Sequence, residues 1–183
     1  MRRATAKEIL AGSFREIARE KNVDKITVKD ITDRSGYSSA TFYRQFQDKY
    51  DLIAWDYSRQ LEEIMSKVGQ KNYQWKDTLT EGAAFYAREK QYLANLLRHT
   101  SGMDAFIGYM RDLHHESLKE AVLRINGRDE VDEKTEMYIR IYVLGTVQLT
   151  CEWILGEFHV PPETLAEVYE HSLPGPLQEY LDR

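Results

Sequence analysis

The side chains with most to offer a partner lie close together in the stretch Ser38-Ser39-Ala40-Thr41-Phe42-Tyr43-Arg44. Hydroxyls, a methyl and a guanidinium are the groups that meet base edges in a major groove. On a short helix, Ser39, Ala40, Thr41 and Arg44 would share or border one exposed face. Thr27, Lys29, Tyr43 and Lys49 suit phosphate oxygens instead, contacts that position a protein on a duplex without reading sequence. Lys49 also opens a helix, where free amides and the helix dipole favour an anion. Two of these residues have plainer roles to weigh. Tyr43 suits an aromatic half-buried beside Phe42, and Ser38 suits a helix cap better than a base contact.

Other chemistries find little support. His114-His115-Glu116 lacks the second histidine of the zinc-protease helix, since position 119 is Lys. Adjacent histidines point in different directions on a helix, which suits a solvated face. Cys151 sits in an apolar helix without an activating base and reads as a small buried hydrophobe. The ten glycines are scattered and form no phosphate-binding loop. The chain is therefore expected to be no enzyme and to use no metal or cofactor.

The positioning elements read as all-α. All four prolines lie beyond residue 160, and long segments carry helical periodicity. A first helix over about Thr5 to Glu20 aligns Leu10, Phe14 and Ile17. Thr27-Val28-Lys29-Asp30 has the form of a capping box for a second helix that buries Val28 and Ile31. Gly36 ends that helix in a tight turn, because glycine tolerates positive φ. A third helix from Ser38 or Ser39 through Arg44 buries Phe42, and Asp48 caps a fourth that continues towards Lys67. Two short helices joined by a glycine turn form a helix-turn-helix. Phe14, Ile17, Ile31, Phe42 and Phe46 are its expected core. Further helices are expected at 75–87, 89–99, 103–125, 132–156 and 162–173, with a last turn at 176–182. Breaks fall at Gly102, Asn126-Gly127 and Gly156. The expected division is a head over 1–48 and a body over 49–183.

Charge follows the same division. The chain carries a net −5, yet residues 1–50 hold 11 Lys/Arg against 7 Asp/Glu and residues 51–183 hold 14 against 23. A positive head on an acidic body points to a polyanion at the head alone. A single cysteine rules out an internal disulfide and fits a reducing compartment. No apolar run follows the basic Met1-Arg2-Arg3, as a signal peptide would need. The apolar stretch Met137 to Leu155 is interrupted by Arg140 and Glu152, so a buried helix is expected rather than a membrane span. A cytoplasmic location follows.

Thr27, Gly36, Ser38 to Thr41, the Phe42-Tyr43 pair, Phe46 and Lys49 together resemble the signature of the tetracycline-repressor family. The resemblance covers residues 5–55, and the rest of the chain by helix count and length. It implies a DNA-binding transcriptional regulator, commonly a repressor, that acts as a homodimer on a palindromic operator. It also implies a variable body that binds an effector and dimerises through its last two long helices as a four-helix bundle. Tyr73-Gln74-Trp75-Lys76, Phe85-Tyr86 and Lys90-Gln91-Tyr92-Leu93 are similar to the subgroup containing the dihydroxyacetone-kinase operon activator. That resemblance implies that a protein co-activator can replace the small-molecule effector.

The body permits these expectations. Met137, Ile141, Leu144, Gln148, Cys151 and Leu155 fall on one stripe, flanked by Tyr138, Tyr142, Leu149 and Trp153. A helix apolar nearly all round needs two buried sides. A partner subunit could cover one of them, with Leu165, Val168 and Tyr169 beside it and Gly145 allowing close approach. The alternative is the central core helix of a monomer. Candidate effector contacts are Phe85, Tyr86, Tyr92, Phe106, Tyr109, Met110, His114, Tyr138 and Tyr142, although an aromatic stripe at helical spacing also describes plain core. A helical interaction module without DNA binding is the rival of another class.

Overall fold

A computed structural model describes residues 4–100 and 103–181, and among these every regular element is a helix. In chain order they are α1 (Ala6–Ala18), a short 3-10 turn (Val23–Lys25), α2 (Val28–Ser35), α3 (Ser39–Gln45), α4 (Lys49–Met65) and α5 (Trp75–Arg88). Then come α6 (Lys90–His99), α7 (Met103–Asn126), α8 (Glu133–Leu155), α9 (Pro162–His171) and α10 (Gly175–Leu181). The 3-10 turn was not expected, because three residues carry no periodicity to read. The expected break at Gly102 lies outside the described residues.

Local chemistry sets the helix ends. The Thr27 hydroxyl accepts the Asp30 amide at 3.1 Å, and the Asp30 carboxylate accepts the Thr27 amide at 2.8 Å. Thr5 and Glu8 repeat this reciprocal cap on α1. The Asp48 carboxylate accepts the amides of Tyr50 and Asp51 at 2.7 and 2.9 Å and so starts α4. Each such cap satisfies donors a helix start leaves unpaired, worth about 1 kcal/mol. Gly36 leaves α2 at φ 73° and Gly156 leaves α8 at φ 85°, the left-handed region where glycine meets no Cβ penalty.

The head closes over Leu10, Phe14, Ile31 and Phe42, all fully buried, with Phe46 almost so. Ile17 joins them, whereas Val28 is only half-buried at the start of α2. In the body, α5 packs on α9 and α7 on α8, α6 lies against α7 and α8, and α10 closes on α7 and α8. Leu93, Leu96, Leu97, Met110, Ile139 and Leu177 form its solvent-free centre. Each such side chain contributes roughly 1.5–3 kcal/mol by leaving water.

Helix α8 divides its apolar residues between two sides. Ile139, Tyr142, Val143, Val147, Cys151, Trp153 and Ile154 turn inward. Met137 (64 % exposed), Ile141 (66 %) and Leu144 (44 %) face out with Gln148. The stripe expected from the sequence is divided between these two sides. Cys151, Leu165 and Tyr169 are buried within the chain's own core, and Leu155 is half-buried, while Val168 on α9 joins the outward set. The spacing groups Cys151 with Leu144 and Gln148, but α7 packs on α8 and covers that end of the stripe, where Cys151 Sγ lies 3.9 Å from Met110 Sδ.

Candidate nucleic-acid interface and regulatory body

Helix α3 sits on the head core through one anchor. Phe42 is fully buried, which turns Ser39, Ala40, Tyr43 and Arg44 to solvent and leaves Thr41 half-exposed. Tyr43 is 60 % exposed while its ring stands edge-on to Phe42 at 5.4 Å, so it both packs and projects. Ser38 caps α3, its hydroxyl accepting the Thr41 amide at 3.2 Å. Its oxygen also lies 3.1 Å from the Thr41 hydroxyl, and Arg44 donates to that hydroxyl at 3.0 Å. The three side chains thus form one polar chain along the outer face of α3.

The cations beside α3 divide into two kinds. Lys29 is held by Asp33 one turn along α2 at 2.5 Å, in an exposed pair that raises its pKa. Such a pair contributes little to stability, so the ammonium is available to a stronger anion. Lys49, expected to meet phosphate, is turned to the chain's own backbone. Its ammonium donates to the carbonyls of Val23 (2.8 Å), Asp24 (2.9 Å) and Ile26 (2.9 Å). Those oxygens run along the 3-10 turn and the residue after it, and satisfying them uses the three donors of the ammonium. Asp30 is held well below the usual carboxylate range, first by the Lys21 ammonium at 2.7 Å and then by Thr27.

Where head meets body, the sequence reading missed a buried ionic cluster. Asp56 on α4 is almost fully buried, with Arg15 Nε of α1 at 3.2 Å and Arg59 at 3.8 Å. Arg15 also lies 3.9 Å from Glu89, itself buried between α5 and α6. Burial pushes the Asp56 carboxyl up, against the opposing pull of Arg15. The available signal was an aspartate set four residues after Leu52 in the apolar stripe of α4.

Inside the body, Tyr57, Tyr86 and His114 form a closed polar ring. The tyrosine hydroxyls lie 2.9 and 3.0 Å from His114 Nε2 and 3.2 Å from each other. Burial pushes the imidazole down to about 4 and raises both phenols, so all three groups are neutral at pH 7. They border a cavity of about 80 Å³ that is otherwise lined by Leu61, Ile64, Met65, Trp75, Thr78, Gly82 and Phe85. Tyr57 belongs to α4, which from the sequence looked like a mere connector.

The expected effector contacts do not converge on one space. Phe85, Tyr86 and His114 line this inner cavity, whereas Phe106 and Tyr109 line a separate apolar groove with Ile53 and Ala54. Tyr92 packs on Phe14 at the head, Met110 on Cys151, and the Tyr142 hydroxyl donates to the Tyr169 carbonyl at 2.9 Å. Tyr138 is half-buried on α8 beneath Lys134. Burial also raises the Cys151 thiol to about 12, so it is protonated and a poor nucleophile. Among the described residues no group of three or more His, Cys, Asp or Glu side chains is placed to hold a metal ion. No described helix is long and apolar enough to cross a membrane.

A helix-turn-helix with an outward-facing second helix, joined by α4 to an all-helical body, defines a DNA-binding regulator. Residues 9–54 match the family described as "Bacterial regulatory proteins, tetR family", and residues 73–175 match the one described as "Transcriptional regulator C-terminal region". The chain belongs to the tetR family of transcriptional regulators. Among solved structures, it is similar to the dihydroxyacetone kinase operon activator DhaS, with a TM-score of 0.71 and 16 % identity over 96 % of this chain and 97 % of that one. A TetR transcriptional regulator from Rhodococcus sp. RHA1 gives 0.65 and 14 % over 91 % and 94 %. The fatty acid degradation regulator FadR from Bacillus halodurans gives 0.61 and 16 % over 96 % and 98 %. At these identities the likeness is one of fold. No curated protein matches the chain.

Proposed function

We propose that the chain acts in the cytoplasm as a homodimeric repressor on a palindromic operator, with residues 1–48 as the reading head and 49–183 as the regulatory and dimerising body. The observation that carries this reading is the outward set Met137, Ile141, Leu144 and Val168, large apolar side chains left in water by an otherwise well-buried chain. A two-fold pairing of α8 and α9 would cover them and hold two heads at a fixed separation. At each head Ser39, Ala40, Thr41 and Arg44 meet base edges, while Thr27, Lys29 and Tyr43 meet phosphates. Ser38 serves as the cap of α3.

The effector, in this reading, enters between Tyr57, Tyr86 and His114. With every polar group of that wall neutral, it is a small uncharged molecule with a hydroxyl or carbonyl. Binding there displaces α4, which carries Lys49 at its first position and Tyr57 midway along it, and changes the separation of the heads. It does so only as far as the ligand prefers one state over the other. A second reading, an activator controlled by a protein co-activator, is favoured by the smallness of the cavity and by the mutual satisfaction of its three polar groups.

The test is selection of random genomic fragments by the purified protein, followed by a salt titration on the enriched site. A palindrome whose affinity falls steeply with salt supports the dimeric reader. Absence of any enriched site points to a co-activator requirement or to a helical interaction module.

A further inference from the structure

Helix α6 is wedged between head and body. Leu93, Leu96 and Leu97 on one side are fully buried, against α7 and α8. Gln91 and Asn95, one turn apart, reach the other way into the loop between α1 and α2. The Asn95 amide donates to the carbonyls of Ala18 (2.6 Å) and Lys21 (2.9 Å), and its oxygen accepts the Val23 amide at 3.2 Å. Gln91 donates to the Arg19 carbonyl at 3.2 Å. The carbonyls at the end of α1 have no partner within their own helix, and a planar carboxamide offers two donors and one acceptor at once. Val23 is consequently gripped on both sides, its N–H by Asn95 and its carbonyl by Lys49. Four residues later, Thr27 begins α2, so little slack separates α6 from the reading helices.

We propose that Asn95 is a positioning residue for DNA reading. It sets the angle of the head on the body, and α6 is a second route beside α4 by which the state of the body reaches α2 and α3. The proposal rests on the dimeric reading above, since a head angle matters most when two heads must fit one site.

The experiment uses the site enriched from genomic fragments, rebuilt with one or two base pairs added to or removed from its centre. Each base pair shifts the half-sites by about 3.4 Å along the duplex. The full-length wild type is expected to lose about tenfold in affinity per altered base pair, the scale of one misplaced set of contacts. Asn95→Ala should bind the original site more weakly yet discriminate among spacings by less than about threefold. Gln91→Ala, at an exposed position that leaves folding intact, should fall between the two. Leu93→Ala, on the body side of the same helix, should lose thermal stability and keep the spacing preference. A folded Asn95→Ala with wild-type spacing preference overturns the proposal, and if that variant does not fold, wild-type preference in Gln91→Ala does so. A wild type indifferent to spacing defeats the dimeric reading and this proposal together.

Discussion

The ammonium of Lys49 lies 2.8 Å from the carbonyl oxygen of Val23, a residue 26 positions earlier in the chain. This contact makes the first residue of α4 a strut under the head. Lys49→Met should strip the Asp24 and Ile26 carbonyls of their side-chain donor, leave the Val23 carbonyl with the Ile26 amide alone, and cost about 1–3 kcal/mol of stability. The salt dependence of operator binding should be unchanged. Lys29→Met should behave oppositely, with the melting temperature retained and the slope of log affinity against log salt reduced by about 1.8, because each of the two heads loses a phosphate contact worth about 0.9. Thermal denaturation and salt titration read both, and a reduced slope in the Lys49 variant would return that residue to the phosphate backbone.

Thr41 and Arg44 share one hydrogen bond on the outer face of α3, whereas Tyr43 projects beside them. Thr41→Ala or Arg44→Ala should relax the preference at one base pair by about 1–3 kcal/mol. Tyr43→Ala should instead weaken binding evenly across sequences. Competition binding with single-base variants of the operator separates the two patterns. Unchanged affinity and selectivity in all three variants would remove α3 from the interface.

Ile141 is two-thirds exposed on α8, with Met137 and Leu144 on the same side. Ile141→Glu should leave the fold intact and yield a monomer in analytical ultracentrifugation. Operator affinity should fall by orders of magnitude as the second half-site is lost. A variant that stays dimeric would place the pairing surface elsewhere.

His114 gives the fold a pH dependence whose sign can be worked out. Burial lowers the folded imidazole from 6.5 to about 4, so between these values the unfolded chain binds a proton that the folded chain refuses. Stability is therefore full above about pH 6.5 and is lost as the pH falls towards 4, by roughly 2 kcal/mol at pH 5. His114→Gln should flatten this part of the stability curve measured by denaturant titration at pH 7 and pH 5. An equally steep loss in the variant would assign the acid sensitivity to other groups.

Much of the head was legible from local pattern. The Thr27–Asp30 cap, the turn at Gly36 and the burial of Phe42 depend on residues within one or two helical turns, and their spacing carries that information directly. The expected set of effector contacts fared differently. It scattered because an aromatic at helical spacing marks a buried face without saying which neighbour it will meet.

The sequence alone determined the helices, their caps, the glycine stop and the residues that α3 turns outward. All of these follow from interactions between near neighbours, which a linear pattern records. Only the tertiary structure decided that Lys49 braces the head, that Asp56 lies beside Arg15 and that Asn95 holds Val23 from 72 residues away. It also decided which end of the α8 stripe is covered. Those outcomes depend on the angles at which helices cross, and such angles arise from the packing of many side chains at once.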